Sequence, residues 1–266
     1  MKSFLPALAA ASLAATFAVT TAAADAPKAT PTRAADSPRW SLFVTPYVWT
    51  ANLDGSLQLG AVTAPVHVPF RDTLKHLKLA GMGDIEATNG VWGGYLDGEY
   101  VGVGLPTVIH GAPARLSADG TWLTGGVFHR LVATPLGGAN AFREPRLFTV
   151  SPALGVRWTD VGARLVMPGL SASRRHDWAD AFAGLRMTYD LSRHWNVTGD
   201  ADIGGFGRGS NPRLSGEIFL GYRLRTFGRP AMIRVGYRLL DQDHIEASFR
   251  WKARQSGPGL AITTRF

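Results

Sequence analysis

Two pairs of polar residues in the C-terminal third of this sequence have the types and spacing that acid–base chemistry requires. Asp200 and Asp202 lie two residues apart, so in an extended strand both carboxylates face the same side. Two neighbouring carboxylates can share a proton, and one can then act as an acid while the other acts as a base. Asp241 and His244 lie at the predicted end of a later hairpin, where an aspartate–histidine pair could activate water. These four residues are the candidates for a catalytic site.

The sequence offers little else that such a site would need. No serine or other nucleophile pairs with a histidine at a convincing spacing. The seven histidines are scattered, without a pair at the spacing of a metal site: His67, His76, His110, His129, His176, His194 and His244. The segment Gly204–Gly209 lacks the spacing of a dinucleotide fingerprint and precedes no helix signal, so we expect a tight bend at a strand end. We therefore expect no cofactor and no bound metal.

The elements that carry these residues are predicted to be β-strands. In 231–242, Ile233 and Val235 alternate with Arg234 and Gly236, which is the period of a strand with one apolar face. Ten segments are predicted as strands, although 119–132 is ambiguous because both of its faces carry bulky apolar groups: 40–51, 77–88, 91–103, 119–132, 147–160, 179–190, 195–205, 213–226, 231–242 and 257–266. The pattern predicts an antiparallel sheet, and an even number of strands places both of its ends on the same side of a membrane.

The connections between these segments alternate in length. The short ones are Asn89–Gly90, Leu191–His194 and Phe227–Pro230. The long ones are 52–76, 104–118, 161–178, 204–212 and 243–256. The link at 133–146 departs from the rule, because it is long where a short turn is expected. Alternating short and long connections are typical of the periplasmic turns and extracellular loops of outer-membrane barrels.

A soluble β-sandwich would show the same alternation, so the positions of aromatic residues decide between the two folds. Seven aromatic residues lie on apolar faces near strand ends, as in the two interface belts of a membrane barrel: Trp92, Tyr100, Trp158, Tyr189, Trp195, Tyr222 and Phe266. In the last segment, Leu260, Ile262 and Phe266 share one face of a closing strand. We therefore predict an all-β, closed antiparallel transmembrane β-barrel of about ten strands over 39–266, with eight or twelve as alternatives.

A barrel of this size has a narrow interior that side chains can fill. The inward faces carry acids and arginines in comparable numbers: Asp84, Glu86, Asp97, Glu99, Arg157, Asp180, Arg186, Asp200, Asp202, Glu217, Arg223, Arg234 and Arg238. Removing charges from water is costly unless they pair. These residues therefore predict an ion-pair network in the lumen, and a filled lumen rather than a wide pore.

The N-terminus predicts export. Lys2, the apolar stretch from Phe4 to Val19 and the small residues Ala22–Ala24 have the layout of a cleaved signal peptide over 1–24, followed by a flexible periplasmic leader over 25–38. There are no cysteines, so stability is expected to come from burial or from a closed hydrogen-bond ladder. For an exported chain with a net charge of +8, the nearest anions are lipid and lipopolysaccharide phosphates, not nucleic acid.

Several motifs resemble a widespread, poorly characterised family of Gram-negative outer-membrane β-barrel proteins. They are Trp40 with Thr45–Trp49, Leu53–Gly55, Asp180–Arg186, Asp202–Ser210, Gly221–Arg223, Gly236–Asp241 and Gly257–Leu260. The resemblance covers most of the mature chain and matches least over 105–146. It implies an outer-membrane barrel without an established reaction.

From these observations we expect a monomer in the outer membrane that contacts lipid and lipopolysaccharide and reaches the barrel-assembly machinery through its C-terminal strand. The expected role is structural, or passage of small solutes along a narrow polar path. One alternative is an enzyme acting on lipid A or peptides at the extracellular rim, with Asp200, Asp202, Asp241 and His244 as its acids and base. Another is an envelope-binding or adhesion module that uses loop 52–76 and basic residues such as Arg174, Arg175 and Arg208.

Overall fold

The computed structural model describes residues 40–266 except 60, 61, 110, 111, 227 and 248. The predicted signal peptide and leader lie outside the described residues. Thirteen strands are present: β1 (Ser41–Trp49), β2 (Asn52–Leu59), β3 (Val62–Val68), β4 (Leu77–Thr88), β5 (Trp92–Ile109), β6 (Ala112–His129), β7 (Val132–Ala139), β8 (Pro145–Met167), β9 (Leu170–Tyr189), β10 (Trp195–Gly204), β11 (Arg213–Thr226), β12 (Arg229–Glu246) and β13 (Phe249–Arg265). A short helix, α1 (Phe70–Lys75), joins β3 to β4. Among the described residues, no helix is long and apolar enough to cross a membrane.

Ten of the strands close into a ring in the order β1-β4-β5-β6-β8-β9-β10-β11-β12-β13, and β13 pairs back with β1. Every pairing is antiparallel. The half of β13 nearest the C-terminus pairs with β1, and its other half, from Phe249 to Ser256, pairs with β2, so β2 continues β1 beyond a break at Thr50 and Ala51. Closure supplies partners for the backbone groups that an open sheet leaves at its edges. The predicted closed antiparallel barrel of ten strands is confirmed.

The two faces of the ring differ as the alternation predicts. Each ring strand carries a large apolar side chain that is exposed on the outer face: Val48, Ile85, Leu96, Val127, Leu154, Leu185, Ile203, Ile218, Val235 and Leu260. We call this outer surface the apolar belt. In β13, Leu260 and Ile262 are exposed, whereas Ala261 and Thr263, which alternate with them, are buried. Polar side chains therefore lie inside the ring and apolar side chains outside it.

The two ends of the barrel differ in their connections. At the near end, where β1 begins and β13 ends, β4 joins β5 through the predicted Asn89–Gly90 turn. The Asn89 Oδ1 accepts hydrogen bonds from the amides of Val91 (3.0 Å) and Trp92 (2.8 Å). Gly90 has a φ of 88°, which favours glycine. The opposite end, which carries the turn between β12 and β13, is called the far end.

The long loops were predicted to be longer than they are, because most of these segments continue the neighbouring strands. In the far-end hairpins, β5–β6 is paired as far as Ile109 and Ala112, β8–β9 as far as Met167 and Leu170, and β12–β13 as far as Glu246 and Phe249. Segment 52–76 forms β2, β3 and α1, and in 133–146 strand β7 pairs with β8. Charged residues such as Lys252 and Arg254 occupy the outer face of β13 at the far end, whereas Trp251 and Ala253 are buried on its inner face, so the apolar and polar faces exchange sides there. A prediction that requires an apolar outer face therefore ends these strands too early.

Candidate functional site

The near half of the lumen contains a cavity of about 620 Å³. It reaches the near-end residues Asn89, Asn140 and Arg223, and its inner limit includes Trp49 and Leu240. Eight carboxylates and seven arginines line it, so its formal charge is nearly balanced. A balanced lining gives the cavity no strong preference for ions of one sign.

The centre of the lumen is organised by Arg238. Its guanidinium contacts Asp97 (3.1 Å) and Glu99 (2.5 Å) and lies 3.6 Å from Glu217. The Tyr47 hydroxyl accepts a hydrogen bond from Arg238 (2.9 Å) and donates to Asp97 (2.7 Å). Because Glu99 is buried, these contacts supply the compensation that a charge removed from water needs.

A second arginine, Arg186, connects two more acids. It contacts Glu86 at 2.8 Å and Asp200 at 3.1 Å. Its guanidinium carbon lies 4.6 Å from the ring centroids of both Tyr95 and Phe128. The aromatic rings and the carboxylates together hold Arg186 in one position in the lumen.

The remaining predicted lumen arginines have partners of different kinds. Arg157 contacts Asp202 at 3.0 Å, and Arg223 pairs with Asp190, an acid absent from the predicted network. Arg234 has no acidic partner among the described residues and donates to the Thr198 hydroxyl at 2.6 Å.

Besides Arg234, two predicted acids of the network have no ion pair among the described residues. Asp180 accepts a hydrogen bond from the Trp178 indole at 3.1 Å. Asp84 lines the cavity. Among the described residues, the lumen acids therefore outnumber the arginines that pair with them.

Above the cavity, five buried side chains form what we call the closing layer: Trp49, Trp122, Thr159, Leu240 and Gln242. The Trp122 indole donates to the Gln242 side-chain oxygen at 3.0 Å, and the Gln242 amide donates to the Thr159 hydroxyl at 2.7 Å. Strands β6 and β12 are five positions apart in a ring of ten, so they lie directly opposite each other. The hydrogen bond from Trp122 to Gln242 therefore crosses the full width of the barrel.

Beyond the closing layer, the far end of the lumen holds a cluster of His176, His244 and Glu246. The two Nε2 atoms are 3.4 Å apart, and the Glu246 Oε2 lies 3.3 Å from His176 Nε2 and 3.7 Å from His244 Nε2. Burial of the ring and the neighbouring His176 lower the pKa of His244, which lies beyond the apolar belt. Trp178 stacks on His244 with the ring centroids 4.6 Å apart. The cluster can act as a proton-sharing group or as a set of metal ligands.

A loop between β10 and β11 adds a hydroxyl to this cluster. The Ser210 Oγ lies 2.9 Å from His244 Nδ1. The Gly209 carbonyl accepts a hydrogen bond from the Ile245 amide at 2.6 Å, which fixes the loop against β12. Gly209 has a φ of 78°, and a Cβ there would lie 2.3 Å from the Ile245 carbonyl oxygen, so this close approach requires glycine.

The four candidate catalytic residues do not form one site. Asp200 and Asp202 bind Arg186 and Arg157 in the lumen. Asp241 contacts Arg254 at 2.8 Å at the far end. His244 is buried inside the far end and binds none of these acids.

Sequence reasoning missed the partners of His244. If the pairing register of β11 and β12 is extended beyond the end of β11, residue 211 lies opposite His244. The structure has an isolated β-bridge from His244 to Ser210, one position away. That register was the signal for Ser210. His176 lies on β9, three positions around the ring from β12, and no sequence spacing connects strands that are not neighbours.

The predicted interface aromatics and basic residues lie on the surface. Six of the seven predicted aromatic side chains are exposed: Trp92, Tyr100, Tyr189, Trp195, Tyr222 and Phe266. Trp158 is partly buried and donates to Asp177 at 3.1 Å. Arg174 and Arg208 are exposed, and Arg175 binds Asp119 and Asp160.

No protein-family model and no curated protein matches the sequence, so membership of the family that it resembles stays a prediction. Solved structures, among them the following three, show weak similarity. The attachment invasion locus protein Ail of Yersinia pestis, solved with the heparin analogue sucrose octasulfate, is 10% identical, with 85% of this chain and 98% of that chain covered and a TM-score of 0.37. For the N-terminal β-barrel domain of Pseudomonas aeruginosa OprF, the corresponding values are 9%, 85%, 97% and 0.34. For the translocator domain of the autotransporter NalP from Neisseria meningitidis, they are 13%, 85%, 88% and 0.39. At these values the similarities carry no argument about family or function.

Proposed function

We propose that this protein spans the outer membrane of a Gram-negative bacterium as a barrel with a closed lumen and a structural role. The apolar belt supports a membrane location, because a surface of this size and character is unfavourable in water and favourable against lipid chains. In this proposal the near end, with its short turns, is periplasmic and the far end, with its extended hairpins, is extracellular.

The observation that carries the structural role is the hydrogen bond across the closing layer. Trp122 and Gln242 meet from opposite walls, and Thr159 and Leu240 around them are almost completely buried. A solute that enters the cavity from the periplasmic end meets this layer before it reaches the far end. Passage of a small solute would therefore require the closing layer to move, and the resting barrel does not conduct.

Planar-bilayer recording of the refolded protein tests this proposal. The wild-type protein is expected to give no current steps, whereas the double variant Trp122→Ala, Gln242→Ala is expected to conduct, because it removes both halves of the bridging contact. Trp92→Ala is the matched control, because it removes an exposed tryptophan from the outer face and should stay silent. Steady conductance by the wild-type protein would contradict the closed lumen.

The rim enzyme and the adhesion module stay predictions. The proposed enzyme lacks an assembled carboxylate pair among the described residues. Asp200 and Asp202 each bind an arginine, and Asp241 lies on the outer face. For the adhesion module, replacement of the exposed Arg174 and Arg208 with alanine is the distinguishing experiment, since envelope binding should then be lost while the barrel persists.

A further inference from the structure

We propose that His176, His244 and Glu246 form a divalent-metal site for zinc at the far end of the lumen. The three residues come from two strands, β9 and β12, that are not neighbours in the ring. One ligand atom from each residue contributes to the cluster, and all three atoms lie within 4.8 Å of one another.

The distances fit a tetrahedral zinc ion. Bonds of about 2.0–2.1 Å to nitrogen and oxygen place neighbouring ligand atoms of a tetrahedron roughly 3.3–3.4 Å apart. The two histidine Nε2 atoms are separated by 3.4 Å, and the Glu246 Oε2 is 3.3 Å from one and 3.7 Å from the other. The three atoms therefore form one face of such a tetrahedron, with the fourth position free for water or an external ligand.

The surroundings of His244 prepare it to bind an ion. The Ser210 Oγ, 2.9 Å from Nδ1, can accept a hydrogen bond from the Nδ1–H group, and in that tautomer the Nε2 atom carries a free lone pair for the ion. Trp178 covers one face of the ring and fixes its orientation. A hydrogen bond of this kind behind a ligating histidine is the usual support of a zinc ligand.

The same atoms could be arranged as a serine nucleophile with a histidine base and a glutamate, but the position of the carboxylate favours a metal. In a nucleophilic arrangement Glu246 would bind His244 preferentially. Instead its oxygen is closer to His176 Nε2 than to His244 Nε2. A carboxylate placed between two imidazole nitrogens matches a shared ion.

The ligand types identify the class of ion. Two imidazole nitrogens and one carboxylate oxygen suit zinc, whereas calcium and magnesium prefer oxygen ligands alone. The Glu246 side chain is 60% exposed, so the site opens toward the far-end solvent. The free coordination position can accordingly accept a small external donor such as a carboxylate.

Metal titration of the refolded, untagged chain in detergent tests the proposal. After treatment with a chelator, we expect one equivalent of Zn²⁺ to bind in competition with a chromophoric chelator. Co²⁺ should produce the visible absorption of a tetrahedral ion. His176→Ala and Glu246→Gln should each weaken binding at least tenfold, and Ser210→Ala about tenfold, as expected for a residue that supports a ligand.

His194→Ala is the matched control, because this histidine lies at the near end, stacked on Tyr222, and its loss should leave binding unchanged. Heat-dependent mobility on electrophoresis confirms that each variant is folded. Failure of the folded wild-type protein to bind one equivalent would overturn the proposal. Equal binding by His176→Ala, Glu246→Gln and the wild-type protein would also overturn it.

Discussion

Arg238 neutralises carboxylates that would otherwise lie in the lumen without a counter-ion. Replacing it with alanine leaves Glu99 buried and removes the partner of Asp97. Breaking a buried ion pair by deleting one partner costs about 3–5 kcal/mol. We therefore expect Arg238→Ala to lower the free energy of unfolding by roughly this amount, measured by urea denaturation in lipid vesicles.

Arg254 provides the control for this prediction. It pairs with Asp241, but its side chain is 62% exposed. Exposed pairs contribute about 0–1 kcal/mol, so Arg254→Ala should have a small effect. Similar losses of stability in the two variants would show that the lumen network does not hold its charges in a buried state.

At this scale the sequence indicates which residues face inward but not which of them meet. The alternation places Arg238, Asp97 and Glu99 on polar faces. Asp97 and Arg238 belong to β5 and β12, four positions apart in the ring, and the distance across the lumen is set by closure of the whole barrel. The cluster of His176 and His244 could not be predicted for the same reason.

Strand β12 passes from the apolar belt into a charged far end. Val235 lies in the middle of the outward apolar residues, whereas the neighbours of Ile245 across the ladder include Arg250. An arginine facing lipid costs about 2–4 kcal/mol at the middle of a bilayer and about 0–1 kcal/mol near the interface.

We expect Val235→Arg to destabilise the barrel in lipid vesicles by the larger of these amounts and Ile245→Arg by the smaller. Both residues are β-branched, apolar and exposed on the same strand, and Ile245→Gln, compared with Val235→Gln, separates depth from repulsion by Arg250. The measurement is again the free energy of unfolding. An equal cost at the two positions would mean that the outer surface does not meet a medium that changes along the strand.

The strand ends could be predicted accurately inside the apolar belt but not beyond it. Where one face meets lipid and the other meets the lumen, the pattern is strong, and β4 was predicted over its full observed length, Leu77–Thr88. Beyond the belt both faces of β12 carry polar residues, and β13 carries polar residues outside and Trp251 and Ala253 inside, so the outward apolar pattern ends although the strands remain paired up to Glu246 and Phe249. Strand pairing there is maintained by the backbone ladder and leaves no apolar signal on the outer face.

On the scale of the whole molecule, one closed ring separates two environments. The outer surface is apolar around the full circumference, while the inner surface holds ion pairs, a cavity and the closing layer. In the proposed membrane location, lipid covers this outer surface. The closed lumen and the far-end metal site are independent of each other and can fail separately.

The absence of cysteine from the sequence permits a direct test of this arrangement, because single cysteines can be introduced and spin-labelled without a background. Labels would be placed at the outward positions Ile233, Val235 and Tyr237 and at the inward positions Met232 and Arg234 of the protein in lipid vesicles. Collision with oxygen, which concentrates in hydrocarbon, would be compared with collision with a water-soluble nickel chelate. Outward labels should favour oxygen and inward labels should not, alternating from residue to residue. Outward labels that collide freely with the nickel chelate would contradict a membrane-spanning barrel.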